Sequence, residues 1–471
     1  MKILLVYPRF ERFLEAYPNL AAIPTIGGLW RYRMPPALGT QILAAMMPSD
    51  VEWTIVDENV QAIDYDQEVD CVGISFFTPQ AESAYAVGDR FRARGVPVLM
   101  GGMHPSIIPD DAAPHCDSIC LGEVEALWPE ILADLRAGAL KPRYGPRTPT
   151  ASQWVRPVRG LFDDPGSSLR DGRPTPAAVG RGRDAVTQRS DQADRGGGYD
   201  WKPTLLQIAR GCPRPCLYCN LPALQGSALR FRPIDDVVDE VRGMQGRDIY
   251  VTEDVIMFRA RSIEQYTIEL FERFAELDVH LFLTSSLVFN TRPAFLDALA
   301  AGHTRCNYIT LGFDPISRGI YSGDQRMIDK TREQIDAMQE RGIRFHAAFG
   351  VGFDEDDPGV FERILRFCRQ SGIVTAEFFI ATPFPNTPLW HQLSREGRIH
   401  HRRWGSYNGG HVVFTPKQMT PEELIAGFLH MWTEHYTGID VQEVLAPFDH
   451  VARAPGVPRT GELAASARRA P

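Results

Sequence analysis

The chain has 471 residues, 44% hydrophobic and 23% charged, a composition suited to a globular protein of two or three domains. A net charge of −9 argues against a general nucleic-acid binder, which carries a basic footprint. No apolar run reaches the roughly 18 residues of a membrane helix, and eight unevenly spaced cysteines do not make a secreted disulfide framework, so the expected location is a reducing cytoplasm.

Met1-Lys-Ile-Leu-Leu-Val-Tyr-Pro8 carries no signal-peptide cleavage pattern and reads as a first strand over Lys2–Val6. Further apolar runs at Trp53–Asp57, Cys71–Phe77 and Val98–Gly101 stop at or just before Pro, Asp or Gly. Helical patterns lie between and after them, at Ala37–Met47, Gln80–Arg94 and Leu127–Ala137. Short, continuously apolar strands alternating with helices predict a doubly wound parallel sheet covered on both faces. Such a sheet binds ligands outside the carboxyl ends of its strands. The informative residues there are Tyr7-Pro8, Asp57-Glu58-Asn59, Ser75 to Pro79, Gly101-Gly102-Met103-His104 and Gly122-Glu123. A ligand crevice and ordinary loops are equally compatible with that pattern.

From about Arg147 to Gly198 the chain is crowded with Arg, Asp, Gly, Pro and Ser, which predicts a flexible linker over 147–199. Its arginines are interspersed with aspartates and lack stacking aromatics, so an RNA-binding role is not favoured. Strand and helix signals then resume. Strands are expected at Leu205–Ala209, Ile249–Thr252, Leu281–Ser285, Ile309–Gly312, Phe345–Val351 and Ala376–Thr382. Helices are expected at Ile234–Met244, Ser262–Leu277, Ala294–Ala300, Asp329–Arg341 and Phe361–Gln370. Six such units predict a partial (β/α)6 barrel over 200–395, with its chemistry at the strands' C-terminal ends. A helical extension follows over 396–452, where Thr420 and Glu423 form a capping-box pattern, and then a disordered tail over 453–471.

Cys212-Pro-Arg-Pro-Cys216-Leu-Tyr-Cys219 follows the first barrel strand. Three thiolates on one loop hold three corners of a [4Fe–4S] cube and leave one iron free to chelate a small molecule. The competing reading is a structural zinc site, but zinc wants four closed ligands and the loop has no fourth Cys or His. Pro213 and Pro215 favour an extended loop on which the thiols can converge. Cys116-x3-Cys120 makes a weak metal pair at best, and Cys71, Cys116, Cys120, Cys306 and Cys368 read as small buried hydrophobes.

The C-x3-C-x-aromatic-C pattern, with Tyr218 before the last cysteine, resembles the signature of the radical S-adenosylmethionine superfamily. The resemblance implies a [4Fe–4S] cluster on Cys212, Cys216 and Cys219 that cleaves S-adenosylmethionine to a 5′-deoxyadenosyl radical, with an external low-potential electron donor. It also implies methionyl-amine contacts from Glu253 and Asp254, a ribose contact from Asp314, and an adenine-side element Gly352-Phe-Asp-Glu355. Each of these carboxylates is equally readable as a helix cap or a solvated charge. Ala381-Thr-Pro-Phe-Pro-Asn386-Thr-Pro-Leu389 resembles the family's Pro-x-Pro-Gly-Thr-Pro-Leu turn, with Asn386 where Gly is usual.

A Rossmann-like domain over 1–146 ahead of such a barrel resembles the cobalamin-dependent branch of that superfamily. Val56-Asp-Glu-Asn-Val60, Gly101-Gly-Met-His104-Pro, Leu121-Gly-Glu-Val-Glu125 and the Trp404-to-Glu422 region carry the likeness. It implies cobalamin beside Asp57, Asn59, Ser75, Gly101, Gly102 and His104. The Asp-x-His-x-x-Gly motif of histidine-ligating carriers is missing after the first strand, so cobalt without a protein histidine beneath it is expected. The implied activity is methylation of an unactivated carbon in a small-molecule or lipid substrate. An oxidative cyclase or rearrangement enzyme is a second reading and a non-catalytic cofactor-binding sensor a third. Trp390, Trp404, Tyr407 and the helix near Leu424 are either pocket lining or core.

Overall fold

The structure, a computed structural model, describes residues 1–29, 38–146, 154–159, 168–170, 173–175, 203–214, 216–244, 248–252, 261–277, 279–286, 293–300, 305–313, 321–343 and 345–445. The first half forms a six-stranded sheet of β1 (Lys2–Tyr7), β2 (Glu52–Asp57), β3 (Cys71–Ser75), β4 (Val98–Gly101), β5 (Ser118–Cys120) and β6 (Arg143–Tyr144), ordered 2-1-3-4-5-6 and parallel throughout. β1 lies centrally because Ile-Leu-Leu-Val is buried on both faces of the sheet. Helices α1 (Leu38–Ala45), α2 (Ala81–Ala93), α3 (Met103–Ile107) and α4 (Trp128–Arg136) accompany it. The strand order reverses between β1 and β3, which places the crevice at the C-terminal ends of those two strands.

Sequence patterning misses β5 and β6. They are strands of three and two residues, β6 at the sheet's edge, and both are too short to display a period. An antiparallel hairpin, β7 (Ser168–Arg170) with β8 (Arg173–Thr175), lies inside the stretch expected to be linker. Residues 154–159 there are also held from both sides. Val158 N–H donates to the Gln41 carbonyl at 3.2 Å, and Arg156 bonds Asp236 at 2.6 Å. Two arginines of the stretch that reads as solvated in sequence, Arg156 and Arg159, are spent on Asp236 and Glu240 of the barrel half.

The second sheet consists of β9 (Thr204–Leu206), β12 (Asp248–Val251), β13 (His280–Ser286), β14 (Arg305–Phe313), β15 (Phe345–Val351) and β16 (Ala376–Ile380), with a short hairpin of β10 (Ala209–Arg210) and β11 (Arg230–Phe231) beside it. Each sheet strand pairs in parallel with the next in chain order, as in a partial barrel. Helices α5 (Leu221–Gln225), α6 (Ile234–Arg242), α7 (Arg261–Phe274), α8 (Pro293–Ala300), α9 (Gln325–Gln339), α10 (Val360–Gln370) and α11 (Pro388–Arg395) alternate with them. On α10, Val360, Phe361, Ile364, Leu365, Phe367 and Cys368 are buried, an i, i+4, i+7 stripe that fixes its inner face.

The final helix, α12 (Pro421–Tyr436), starts as its sequence predicts: Thr420 Oγ1 accepts from Glu423 N–H, and Glu423 Oε2 accepts from Thr420 N–H. One continuous core joins the halves, running from Leu4, Val6 and Ile74 of the first sheet through Leu206 and Phe349 to Trp432 of α12. Phe13, after β1, lies 4.8 Å from Trp432 in a tilted contact and meets the edge of Phe428. Trp404, Tyr407 and Leu424 are buried in this core rather than lining an open pocket. Among the described residues no helix is long and apolar enough to cross a membrane.

Candidate active site

The cysteine loop runs from β10 to α5. Gly211 opens it at φ +90°, with Cys212 N–H bonded to the Gly226 carbonyl at 3.1 Å. Cys212 is buried, Cys216 and Cys219 are half-buried, and none is in a disulfide. Cys219 N–H donates to the Cys216 carbonyl at 3.3 Å, and Leu221 N–H points to Cys219 Sγ at 3.4 Å. Pro215 lies outside the described residues.

Two observations test whether this loop fits a cluster. Among the described residues no three His, Cys, Asp or Glu side chains converge as one metal ion requires. A cube makes a different demand, one thiolate per iron, which a spread C-x3-C-x2-C loop supplies. Next to Cys219, Asn220 is buried and its Nδ2 has no hydrogen-bond partner among the described residues. A buried donor left without an acceptor costs about 1–3 kcal/mol. An iron–sulfur cluster would place acceptor sulfurs beside it. The residues fit.

Loops from the far barrel strands close on this one. Leu389 N–H, at the start of α11, donates to the Leu217 carbonyl at 2.9 Å, and Tyr218 packs 6.1 Å from Phe353 of the Gly352-Phe-Asp-Glu355 element. Glu355 itself is exposed. The buried carboxylate of this element is Asp356, whose Oδ2 accepts from Gly352 N–H at 2.8 Å and Phe353 N–H at 3.0 Å. Asn386 sits at φ 61°, the positive-φ position its place in the turn predicts, and its Nδ2 donates to the Ile107 carbonyl of α3. Glu253, Asp254 and Asp314 lie outside the described residues.

Burial pushes the Asp356 carboxyl up to about 6, against the two backbone bonds that pull it down. Its folded-state value stands above its ordinary 3.8, so its contribution is full below about pH 4 and lost as pH rises through 6. Asp356→Asn keeps an oxygen acceptor and removes the charge. The variant should match the native protein below pH 4 and exceed its stability by about 3 kcal/mol at pH 7, a gain that urea titrations at the two pH values would read.

A buried ion-pair cluster binds the cysteine loop to the first sheet. Arg210, immediately before Gly211, donates through Nη1 to Glu123 Oε2 at 2.8 Å, through Nη2 to Glu125 Oε1, and through Nε to Gln207. Arg230 donates to the other oxygen of Glu123, and Trp154 lies 5.0 Å from the Arg210 guanidinium. Burial alone would raise the Glu123 pKa, but the two arginines outweigh it and hold it low. The Leu121-Gly-Glu-Val-Glu125 motif is therefore an anchor for the loop. Sequence reading picked out the motif, without a signal joining it to Arg210.

The crevice of the first sheet collects the other expected residues. Asp57 Oδ1 accepts from Asn59 N–H and Nδ2, and Asn59 also bonds Pro8 and Phe10, so this pair folds the loop after β1. Gly102, at φ +94°, passes so close to β3 that a Cβ would stand 2.8 Å from Phe76 N and O and 3.1 Å from Ser75 Oγ. Gly101, Gly102 and Ser75 thus share one close-packed lip. Phe77 on this lip is the exposed large hydrophobic residue among those described.

His104 does not face that crevice, nor is it the surface hydrogen-bonder that a loop histidine usually is. It is 0% exposed; its Nδ1 meets Thr78 Oγ1 at 3.2 Å and its Nε2 meets Tyr85 Oη at 2.9 Å. Asp111 Oδ2 joins the knot by accepting from Tyr85 at 2.6 Å and from Trp404 Nε1 at 2.7 Å. These bonds, with the His104 ring the largest contributor, hold the Asp111 carboxyl down to about 2. Both ring nitrogens of His104 are engaged within the first half, and through Asp111 the knot ties Trp404 of the C-terminal segment to the first sheet. Cys71, Cys116, Cys120 and Cys368 are buried, as expected of small hydrophobes, and the Cys306 side chain is not described.

Comparisons with known proteins agree with this layout. The family described as B12 binding domain matches residues 32–132, and a domain of unknown function, DUF4070, matches residues 387–448. The bacteriochlorophyllide d C-12(1)-methyltransferase of Chlorobaculum tepidum is 29% identical over 78% of this chain and 75% of its own length. The hopanoid C-2 methylase of Rhodopseudomonas palustris is 23% identical over 85% of this chain and 71% of its own length. The radical S-adenosylmethionine methyltransferase TsrM of Kitasatospora setae, solved with cobalamin and a [4Fe–4S] cluster bound, shares the fold at a TM-score of 0.55 and 17% identity, over 84% of this chain and 75% of that one. In its cysteine loop, partial barrel and B12-binding-type sheet, the chain is similar over most of its length to cobalamin-dependent radical S-adenosylmethionine enzymes.

Proposed function

We propose that the protein is a radical C-methyltransferase acting on a small-molecule or lipid substrate. Cys212, Cys216 and Cys219 hold a [4Fe–4S] cluster. The lip of Ser75, Phe77, Gly101 and Gly102, with Asp57 and Asn59 shaping the neighbouring loop, receives cobalamin. Together with S-adenosylmethionine these groups supply a carbon-centred radical and a methyl group when bound. The chain's own residues orient the two sites and exclude water between them. Tyr218 of the cysteine loop packs against Phe353, while the family resemblance assigns Glu253, Asp254, Asp314 and Glu355 to S-adenosylmethionine. His104 is withheld from cobalt by its buried knot.

The observation that carries this reading is the pair of bridges between the halves. Arg210 anchors the cysteine loop to Glu123 and Glu125, and Asn386 anchors the last barrel turn to α3. Both bridges draw the C-terminal ends of the two parallel sheets toward each other, where a substrate carbon must meet both cofactors. The named relatives are methyltransferases, which favours methylation over cyclisation or a sensor without turnover. Anaerobic turnover with methyl-labelled S-adenosylmethionine tests it. The expected products are 5′-deoxyadenosine, S-adenosylhomocysteine and a substrate heavier by one labelled methyl. A product lighter by hydrogens, or 5′-deoxyadenosine without S-adenosylhomocysteine, would overturn methylation.

A further inference from the structure

The chain is acidic overall, but one stretch reverses that sign. Between Trp390 and Trp404 lie Arg395, Arg398, Arg402 and Arg403 with His391, His400 and His401, against Glu396 alone. Arg398 is consumed by Asp354 and Glu396. Arg395, Arg402 and Arg403 are exposed and form no ion pair with any described residue. From the first sheet Glu82 reaches this edge, where its carboxylate accepts from Gly405 N–H at 2.9 Å. Like charges crowded at one edge repel, and an anionic partner would relieve that repulsion.

Position narrows the choice of partner. Arg402 lies 5.4 Å over the ring of Trp390, and the neighbouring Leu389 is the residue bonded to Leu217 inside the cysteine loop. The basic edge therefore borders the cluster ligands. Radical generation draws one electron per event from outside. Electron tunnelling fades steeply with distance, so the donor must dock near the cluster. Rim charges of this kind govern encounter rate more than final affinity.

We propose that this basic edge is the docking surface for a small acidic one-electron carrier protein, which reduces the cluster held by Cys212, Cys216 and Cys219; the proposal rests on the radical-enzyme reading above. In each encounter the carrier loses one electron and the cluster gains it, with no bond made or broken.

Anaerobic stopped-flow bleaching of the cluster in the reconstituted protein tests this, using reduced flavodoxin and, separately, reduced methyl viologen. Arg402→Glu with Arg403→Glu should slow reduction by flavodoxin at least about tenfold and flatten its salt dependence, leaving methyl viologen unaffected. Arg395→Glu, remote from the Trp390 contact, should act in the same direction with smaller amplitude. Unchanged flavodoxin rates in both variants would overturn the proposal, as would equal slowing with both reductants. Unchanged flavodoxin rates with a raised KM for an anionic substrate would give the edge to that substrate instead. If neither reductant bleaches the native protein, the cluster assignment fails rather than the docking surface.

Discussion

Arg210→Met is expected to destabilise the protein by about 3–5 kcal/mol, the usual cost of leaving one member of a buried ion pair alone. Arg210 is 5% exposed, and Glu125 beside it is 4% exposed. Without the guanidinium, Glu125 keeps a desolvated charge and no cation, whereas Glu123 retains Arg230. The loss should therefore fall mainly on Glu125. Removing that charge as well, in Arg210→Met with Glu125→Leu, should recover most of the stability, because an apolar pair of similar volume needs no desolvation. Urea titration of the two variants against the native protein reads this directly. A loss below about 1 kcal/mol for the single variant would mean the cluster is solvated rather than buried. Iron content should follow stability only in part. Even the stabilised double variant lacks the bonds that anchor the cysteine loop to the first sheet, so it should reconstitute with less iron.

Gly211→Ala should be nearly as damaging, by a different route. At φ +90° an L-residue is strained, and a Cβ there would be driven into the Ala228 carbonyl, with the Gly226 carbonyl 3.2 Å away. Backbone atoms cannot step aside as a flexible side chain can. The loop must move, and Cys212, whose N–H is fixed to Gly226, moves with it. A destabilisation of about 2–4 kcal/mol is expected, with iron retained after reconstitution at less than half the native level. Gly226→Ala serves as the control. It shares a positive φ of 83° but has nothing within 4 Å of its added methyl, so it should cost only the conformational strain, about 1–3 kcal/mol. Equal losses from the two substitutions would show that crowding at Ala228 is not what demands glycine.

The parts of this molecule legible in its sequence are those whose signal is local. The cysteine loop is read from three thiols within one turn of chain, and the six barrel strands from their apolar runs. Asn386 is legible because a turn motif puts an αL-tolerant residue where glycine is usual, and the α12 cap because Thr420 and Glu423 are three residues apart. What stayed hidden depends on pairs far apart in the chain. Arg210 and Glu125 are 85 residues apart and Trp404 and Asp111 are 293 apart, and nothing in either neighbourhood announces the other. His104 illustrates the consequence. Its motif was seen, but only the fold shows Tyr85, Thr78 and Asp111 closing around the ring. Composition also misleads at 154–159, where charges that look solvated are spent on Asp236 and Glu240.

Cofactor content after anaerobic reconstitution tests the two-cofactor account most directly. Iron, sulfide and corrin should be measured together on the native protein and on the variant with Cys212, Cys216 and Cys219 all replaced by Ala. The native protein should carry about four irons and one cobalamin per chain, and the variant should lose the iron while keeping the corrin. A native protein that takes up iron but no corrin would contradict the account, as would a variant that retains its iron.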